Sequence, residues 1–265
     1  MTARLSRGTR ERIATLVYAL VAVVGFIALW HYTAVHYLRN PFILPAPIEV
    51  WNGLVRVAGG YLGGTLLSHL GASLAVVMAG YAIAVLIGVP LGIAMAWVPG
   101  VNALVGPVLM VLRPIPPPAW IPLAILWFGI GMPGKVFVIT LSAFVPCVLN
   151  AYLAISERPR ELMNAARTMG ASNRTLLFEV AIPSGLPTIL TGMRIALGNA
   201  WATVVAAELV VATAGLGFLI LAGYRNFEAN IMAAGMIAIA VVGFLMNLAF
   251  VMIERRIVPW GTQHD

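Results

Sequence analysis

Residues 156–184 read SERPRELMNAARTMGASNRTLLFEVAIPS, a polar stretch set between two apolar runs, 136–155 and 187–212, each long enough to cross a bilayer. Pro159 suits the first turn of a helix. Leu162, Ala165, Ala166 and Met169 recur at i, i+3, i+4 and i+7, which puts them on one helical face, and Gly170 is placed to end that helix. Ser172 is placed to cap a second short helix running to Pro183. The spacing thus predicts two short helices at a tight angle on a membrane surface, with the small Ala165 and Ala166 letting a neighbour lie close. Such a hairpin either docks onto another protein or merely connects two spans.

The same apolar character extends over the whole chain. Apolar residues make up 61% of the 265 positions and charged residues 9%, against roughly a quarter charged in a soluble domain. Six spans are predicted, at 13–33, 70–98, 101–130, 136–155, 187–212 and 231–253. They are too long for barrel strands and show little alternation, so helices, which satisfy their own backbone in lipid, are expected. The fold class is therefore an all-α integral membrane protein. The first span follows four arginines but lacks a clean small-x-small cleavage site, and it reads as an uncleaved anchor.

The net charge of +7 describes topology rather than nucleic-acid binding. With both termini inside, Arg4, Arg7, Arg10, Arg12, Arg158, Arg160, Arg167, Arg174, Arg255 and Arg256 fall on the cytoplasmic side. Arg39, Arg56, Lys135 and Arg225 fall outside, and ten against four favours this orientation. Cys147, the only cysteine, lies in an apolar run, so no intramolecular disulfide forms. His31, His36, His69 and His264 show no regular spacing with carboxylates and predict no metal site.

Between the first two spans, Asn40-Pro41 and the prolines at 45 and 47 predict extended or turn structure, with a short amphipathic helix after Pro47. In the second span, Gly80, Ala84, Gly88, Gly92 and Ala96 recur every four residues, a stripe that lets another helix approach closely. The third span is interrupted by Arg113-Pro114-Ile115-Pro116-Pro117-Pro118, where prolines remove donors and stop a regular helix. Each flank would cover only ~18 Å as helix, too short to cross alone. Irregular backbone at membrane depth is tolerated where protein covers it or where it lines a watery cavity. The break therefore marks either a translocation route or a turn at the interface from which Arg113 snorkels.

Intramembrane charges are costly and usually functional. Arg113 opens the broken segment, Arg194 lies near the inner end of the fifth span, and Glu208 lies in its outer half after Trp201. Arg194 and Glu208 would stand ~21 Å apart on one helix and cannot pair. The expectation is a polar network of Glu208 and Arg113 at or beside a pore, with helix-locking contacts as the alternative. Arg113, Pro116, Trp120, Arg194, Trp201 and Glu208 are the pathway or gate candidates.

The loop now matches a known signature. Ala165-Ala166, three residues, Gly170, nine residues, then Val180-Ala181-Ile182-Pro183 resembles the E-A-A-x3-G-x9-I-x-L-P loop of ABC importer permeases. Asn164 stands where that pattern has Glu, which removes one expected polar contact to the ATPase, although Glu161 lies one turn earlier. The runs at 112–120, LRPIPPPAW, at 126–131, LWFGIG, and at 191–196, TGMRIA, resemble the taurine, alkanesulfonate and nitrate branch, taurine permeases in particular.

The resemblance implies a type I importer permease fold of six transmembrane helices in one domain, 1–265, with its core at about 66–255 and its coupling loop at 156–184. It implies a bacterial inner-membrane location and a homodimer that forms the pathway for a small anion such as taurine, an alkanesulfonate or nitrate. Two ABC ATPase subunits and a periplasmic or lipid-anchored solute-binding protein would complete the assembly. Glu161, Asn164, Ala165, Ala166, Gly170, Ala171, Ser172 and Pro183 would couple the permease to the ATPase. No G-x-x-x-x-G-K-S/T phosphate loop occurs, so ATP and Mg belong to the partner and this chain carries no cofactor and no enzyme site. A secondary transporter or channel is the alternative, although neither internal duplication nor a midplane ion-coupling carboxylate pattern stands out.

Overall fold

Where the prolines of 113–118 remove backbone donors, the chain turns through 89° between two short apolar helices, Pro99–Leu112 and Pro117–Phe128. This computed structural model describes residues 7–211 and 213–259. The side chains of Arg4, Arg7, Arg10 and Arg12, and all of His264, lie outside the described residues. Five further helices are long and apolar enough to cross a membrane: Val17–Leu38, Leu66–Trp97, Met132–Ser156, Asn173–Val210 and Ala229–Ile257. With the bent pair taken as one span, these are the six predicted spans.

In order, the helices are α1 (Arg7–Tyr32), α2 (Pro47–Gly59), α3 (Leu66–Trp97), α4 (Pro99–Leu112), α5 (Ile121–Phe128) and α6 (Met132–Ser156). They continue with α7 (Arg160–Thr168), α8 (Asn173–Thr175), α9 (Ile182–Val211), α10 (Leu216–Arg225) and α11 (Ala229–Ile257). Two boundaries differ from expectation. The first span extends past α1 through a π-helical turn, Thr33–Leu38, before Arg39 enters the left-handed region at φ 49°. The second short helix of the polar hairpin does not stop at Pro183. It runs through a π-helical segment, Leu176–Ala181, straight into α9. A proline inside a helix lacks a donor and crowds the carbonyl four residues earlier; the wider turns of the π segment absorb that mismatch and keep the chain helical.

The chain divides into two compact units, Met1–Leu66 with Ile220–Met236, and Leu67–Leu219 with Ile237–Asp265. In the first, α2 begins with Pro47 in its first turn, and the Glu49 carboxylate accepts the Ala46 N–H at 2.8 Å. The proline fixes the entry and the carboxylate satisfies an orphan donor. Val50, Gly53 and Val57 face inward, and a methyl on Gly53 would sit 2.7 Å from the Asn230 carbonyl oxygen. A polar cluster holds the end of the helix. Arg56 pairs with Glu228 at 2.6 Å, the Tyr61 hydroxyl donates to the other Glu228 oxygen, and Asn226 donates to Tyr61 at 3.0 Å.

The Tyr61 hydrogen bond, followed by Arg56, holds the Glu228 carboxyl below its ordinary value. A depressed folded-state pKa gives stability that is complete above the unfolded value of about 4.3 and is lost as pH falls through the folded value. Glu228→Gln is therefore expected to melt below wild type at neutral pH, by about 1 kcal/mol or less given the exposure of Arg56. The gap should close as the pH is lowered past the carboxylate range. Melting curves of both proteins across acid pH test this, and a gap that is constant with pH would refute it.

In the second unit α6 is central. The glycine stripe of α3 packs on it as predicted: a methyl on Gly80 would lie 2.7 Å from Ile139 Cγ2, and one on Gly88 would lie 3.0 Å from Cys147 Cβ. On the other side α9 docks through Ser142, which reaches the Thr203 hydroxyl at 2.7 Å and the Asn199 carbonyl at 3.2 Å. Gly185 lies against the Ala154 carbonyl, where a methyl would stand 2.8 Å away. Small residues thus set the helix spacing, as expected where lipid supplies no hydrophobic drive between helices.

Candidate functional site

Three arrangements in the second unit gather the residues singled out from sequence. The first is the hairpin after α6. The helix α7 closes with the Gly170 N–H bonded to the Arg167 carbonyl at 2.9 Å and the Ala171 N–H to the Ala166 carbonyl at 3.0 Å. Gly170 sits at φ 87°, so this is the left-handed C-terminal cap that glycine adopts without strain. The Ser172 hydroxyl then accepts the Thr175 N–H at 3.2 Å and opens the next helix.

The apolar face differs from the predicted one. Met163 and Ala166 turn inward and pack with Ile155, Leu176 and Ala181. Leu162, Ala165 and Met169 are exposed, as are Glu161 and Asn164, while Ala171 and Pro183 are half-buried. The i, i+3, i+7 pattern named the stripe but not its direction. Only Ala166, at its edge, reaches the core, because the interior side of the turn is filled by Met163 from the adjoining helical position. The exposed stripe remains available to a partner.

The second arrangement is a cavity of about 520 Å³ beside the bend. Leu109, Leu112, Arg113, Ile115, Pro117, Trp120 and Trp127 form one side, with Phe137, Leu141, Ser142, Phe144 and Asn150 of α6 and Asn199 of α9 opposite. Its volume lies within the range of small-molecule sites. The Trp127 and Phe137 rings meet edge to face at 5.8 Å. The Arg113 guanidinium has neither a hydrogen bond nor an ion pair among the described residues, and no carboxylate, histidine or cysteine lines the space. The lining thus carries one positive charge, from Arg113, and contains no acid–base or nucleophilic pair for bond chemistry. Pro116 lies between two lining residues, Ile115 and Pro117, and is exposed. Asn150, Asn199, Trp127 and Phe137 were not singled out from sequence; two amides inside apolar spans were the available signal.

Arg194 and Trp201 belong elsewhere. They line a separate hollow of about 50 Å³ with Gly243 and Asn247. There Arg194 pairs with Glu254 at 3.5 Å, and the Trp201 indole donates to the Ile239 carbonyl at 3.1 Å. These contacts tie α9 to α11.

The third arrangement surrounds Glu208, which is 1% exposed. Its carboxylate accepts from Ser73 at 2.7 Å and from the Gly217 N–H at 2.8 Å. Ser73 in turn accepts the Leu216 N–H at 2.9 Å, and His69 Nδ1 accepts the Gly215 N–H at 3.2 Å. Three successive N–H groups at the start of α10 are thus capped by side chains of α3 and α9, with the carboxylate at the positive end of the helix. No hydrogen bond or ion pair links Glu208 to Arg113 among the described residues. The helix-locking alternative describes what surrounds this carboxylate.

A broken span beside a cavity, a glycine-packed helical bundle and a capped hairpin following α6 are features suited to a transport permease. Residues 88–259 match the family described as the binding-protein-dependent transport system inner membrane component, and the chain belongs to that family. It is an ABC importer permease subunit, a transport protein rather than an enzyme, and spans the membrane several times. Among its relatives, the taurine transport system permease protein TauC of Escherichia coli (strain K12) is 39% identical over 252 residues, 94% of this chain and 91% of that protein. The bicarbonate transport system permease protein CmpB of Synechococcus elongatus is 30% identical over 258 residues, 94% of this chain and 91% of that protein. In fold, the chain is similar to an inward-facing structure of the MetNI methionine ABC transporter, with a TM-score of 0.64 at 23% identity, covering 72% of this chain and 95% of that one. The type I importer fold expected from the resemblance is therefore present.

Proposed function

We propose that this permease forms, as a homodimer, the membrane pathway for a small anionic solute of the taurine, alkanesulfonate or nitrate type. A solute-binding protein delivers the solute, and two ATPase subunits, which hold ATP and Mg, drive it across a bacterial inner membrane. Both termini then lie in the cytoplasm with the hairpin at 156–184, inside a type 1 transmembrane core at about 66–255. The observation that carries the reading is Arg113, whose guanidinium has no hydrogen bond or ion pair among the described residues, on the wall of a 520 Å³ cavity that has no acidic lining. Arg113 is exposed at the edge of this space, and a guanidinium with no carboxylate beside it favours a solute that carries an anionic group over a cationic one. Taurine and bicarbonate, for which two relatives are named, share an oxyanion group, a sulfonate in the zwitterion taurine and a carboxylate in bicarbonate, and they leave the particular solute open.

The coupling role rests on the exposed stripe Leu162, Ala165 and Met169 with the exposed Glu161 and Asn164, followed by the Gly170 cap and the Ser172 turn. ATPase closure would pull the two hairpins together and, because the second helix of each runs unbroken into α9, would tilt a span that lines the cavity.

The test uses the permease reconstituted with its ATPase and binding protein. Gly170→Val is expected to abolish the ATP hydrolysis stimulated by loaded binding protein while membrane insertion persists. Open space surrounds Gly170, so a valine acts through the strain of its φ of 87° as well as its bulk. Gly170→Asn, which tolerates that conformation, separates the two. Arg113→Gln should retain the ATPase and lose anion uptake. Full stimulation in both Gly170 variants would remove the coupling role, and unaltered uptake in Arg113→Gln would remove the anion site.

A further inference from the structure

The helix α2 carries three separate faces, and only two of them are accounted for by the protein and by water. Viewed down the axis at 100° per residue, Val50, Gly53 and Val57 form one sector and are buried. Glu49, Asn52 and Arg56 form a second, polar sector; Glu49 caps the helix start and Arg56 reaches Glu228. The third sector holds Ile48, Trp51 and Val55, spaced i, i+3 and i+7, and these are 60%, 62% and 56% exposed. The turn before the helix adds exposed Phe42 and Ile43.

A helix that needs only a water face and a protein face has no use for a third, apolar one. We propose that this sector is a lipid-binding surface, seated in the phospholipid headgroup and acyl-chain boundary of the leaflet at which the first span ends. Its position along the chain fixes that depth. The first span ends at Leu38 and the second begins at Leu66, so α2 lies in the 27 residues that join two membrane crossings. On its polar side it is tied to Glu228, one residue before the last span opens at Ala229. Three span ends thus bracket the helix at one membrane boundary. Tryptophan with aliphatic neighbours on one side and charges on the other is the composition that settles there.

The consequence is mechanical. Through Arg56 and Glu228 the seated helix holds the turn between α10 and α11 at the boundary, so lipid contact sets the depth of that turn.

Single cysteines placed at each position from 48 to 57, spin-labelled and reconstituted in vesicles of phosphatidylethanolamine and phosphatidylglycerol, test this. Cys147 is buried, and wild-type protein carried through the labelling serves as its blank. Positions 48, 51 and 55 are expected to favour oxygen over a water-soluble nickel chelate severalfold as relaxing agent. Positions 49, 52 and 56 should show the reverse, and 50, 53 and 57 should be shielded from both. A nickel preference at 48, 51 and 55 would mean a water-facing surface open to a soluble protein and would overturn the proposal. Shielding from both agents there would mean cover by a protein chain and would overturn it equally. Because the pattern is read over the whole scan, loss of one variant to misfolding does not obscure it.

Discussion

Glu208→Ala is expected to cost this permease about 2–5 kcal/mol, the sum for two buried donors left without an acceptor. The variant would strand the Gly217 N–H and leave the Ser73 hydroxyl without its acceptor, in a region of the bundle where water does not reach. The loss spreads because the same serine caps Leu216 and the adjoining His69 caps Gly215. Without the carboxylate, the first turn of α10 has fewer acceptors than donors. A downward shift in melting temperature on the order of 10 °C follows for a protein of this size. Glu208→Gln fits the same space but points amide hydrogens at one of two donors, so it should fall between wild type and alanine. Thermal unfolding of the purified permease in detergent, followed by tryptophan fluorescence and by size-exclusion retention, measures both. If Glu208→Ala melts with wild type, the cap has no structural weight, and the buried carboxylate must be explained by transport alone.

This expectation could not be drawn from the sequence, and the reason is instructive. Glu208 was recognisable as an intramembrane charge, but its partners are a serine 135 residues earlier and backbone donors of α10. A ten-residue apolar helix is too short to register as a span, and it carries no capping side chain of its own because α3 and α9 supply the acceptors. The bend at 113–116 was legible because each proline acts locally through its own ring. The glycine stripe of α3 was legible because helical periodicity alone puts Gly80, Ala84, Gly88 and Gly92 in one row. The direction of α7 was not. Its apolar positions cover more than half a turn, and which of them turns inward depends on where Ile155 and Leu176 lie. The cavity was half legible: Arg113 and Trp120 were named, whereas Asn150 and Asn199 come from two other spans and meet them only in the fold.

The second large effect is expected at Gly92, where α3 crosses α6. A methyl group there would press on the Val148 carbonyl oxygen and stand 2.8 Å from Ala151 Cβ and 3.0 Å from the Tyr152 nitrogen. None of these is the end of a flexible side chain, so relief requires the two helices to separate. At Gly80 the nearest obstacles are the Ile139 side chain at 2.7 and 2.9 Å and the Val136 carbonyl oxygen at 3.0 Å, a less severe approach to backbone than at Gly92. Gly92→Ala is expected to cost about 1–3 kcal/mol as overpacking, and Gly92→Val more. Separation also removes the close backbone contacts that hold helices together in lipid, where burial of apolar area gives no further drive. Gly71 lies on the same helix with open space around it, so Gly71→Ala carries no steric cost and gains helix propensity. Comparing the two alanine variants by thermal unfolding in one detergent isolates packing from propensity, because the chemical change is the same at both sites. Equal melting temperatures for Gly71→Ala and Gly92→Ala would show that the α3–α6 crossing is looser than its geometry requires. A wide separation, with Gly92→Ala the lower, would place the stability of the bundle in the backbone approach that glycine alone permits.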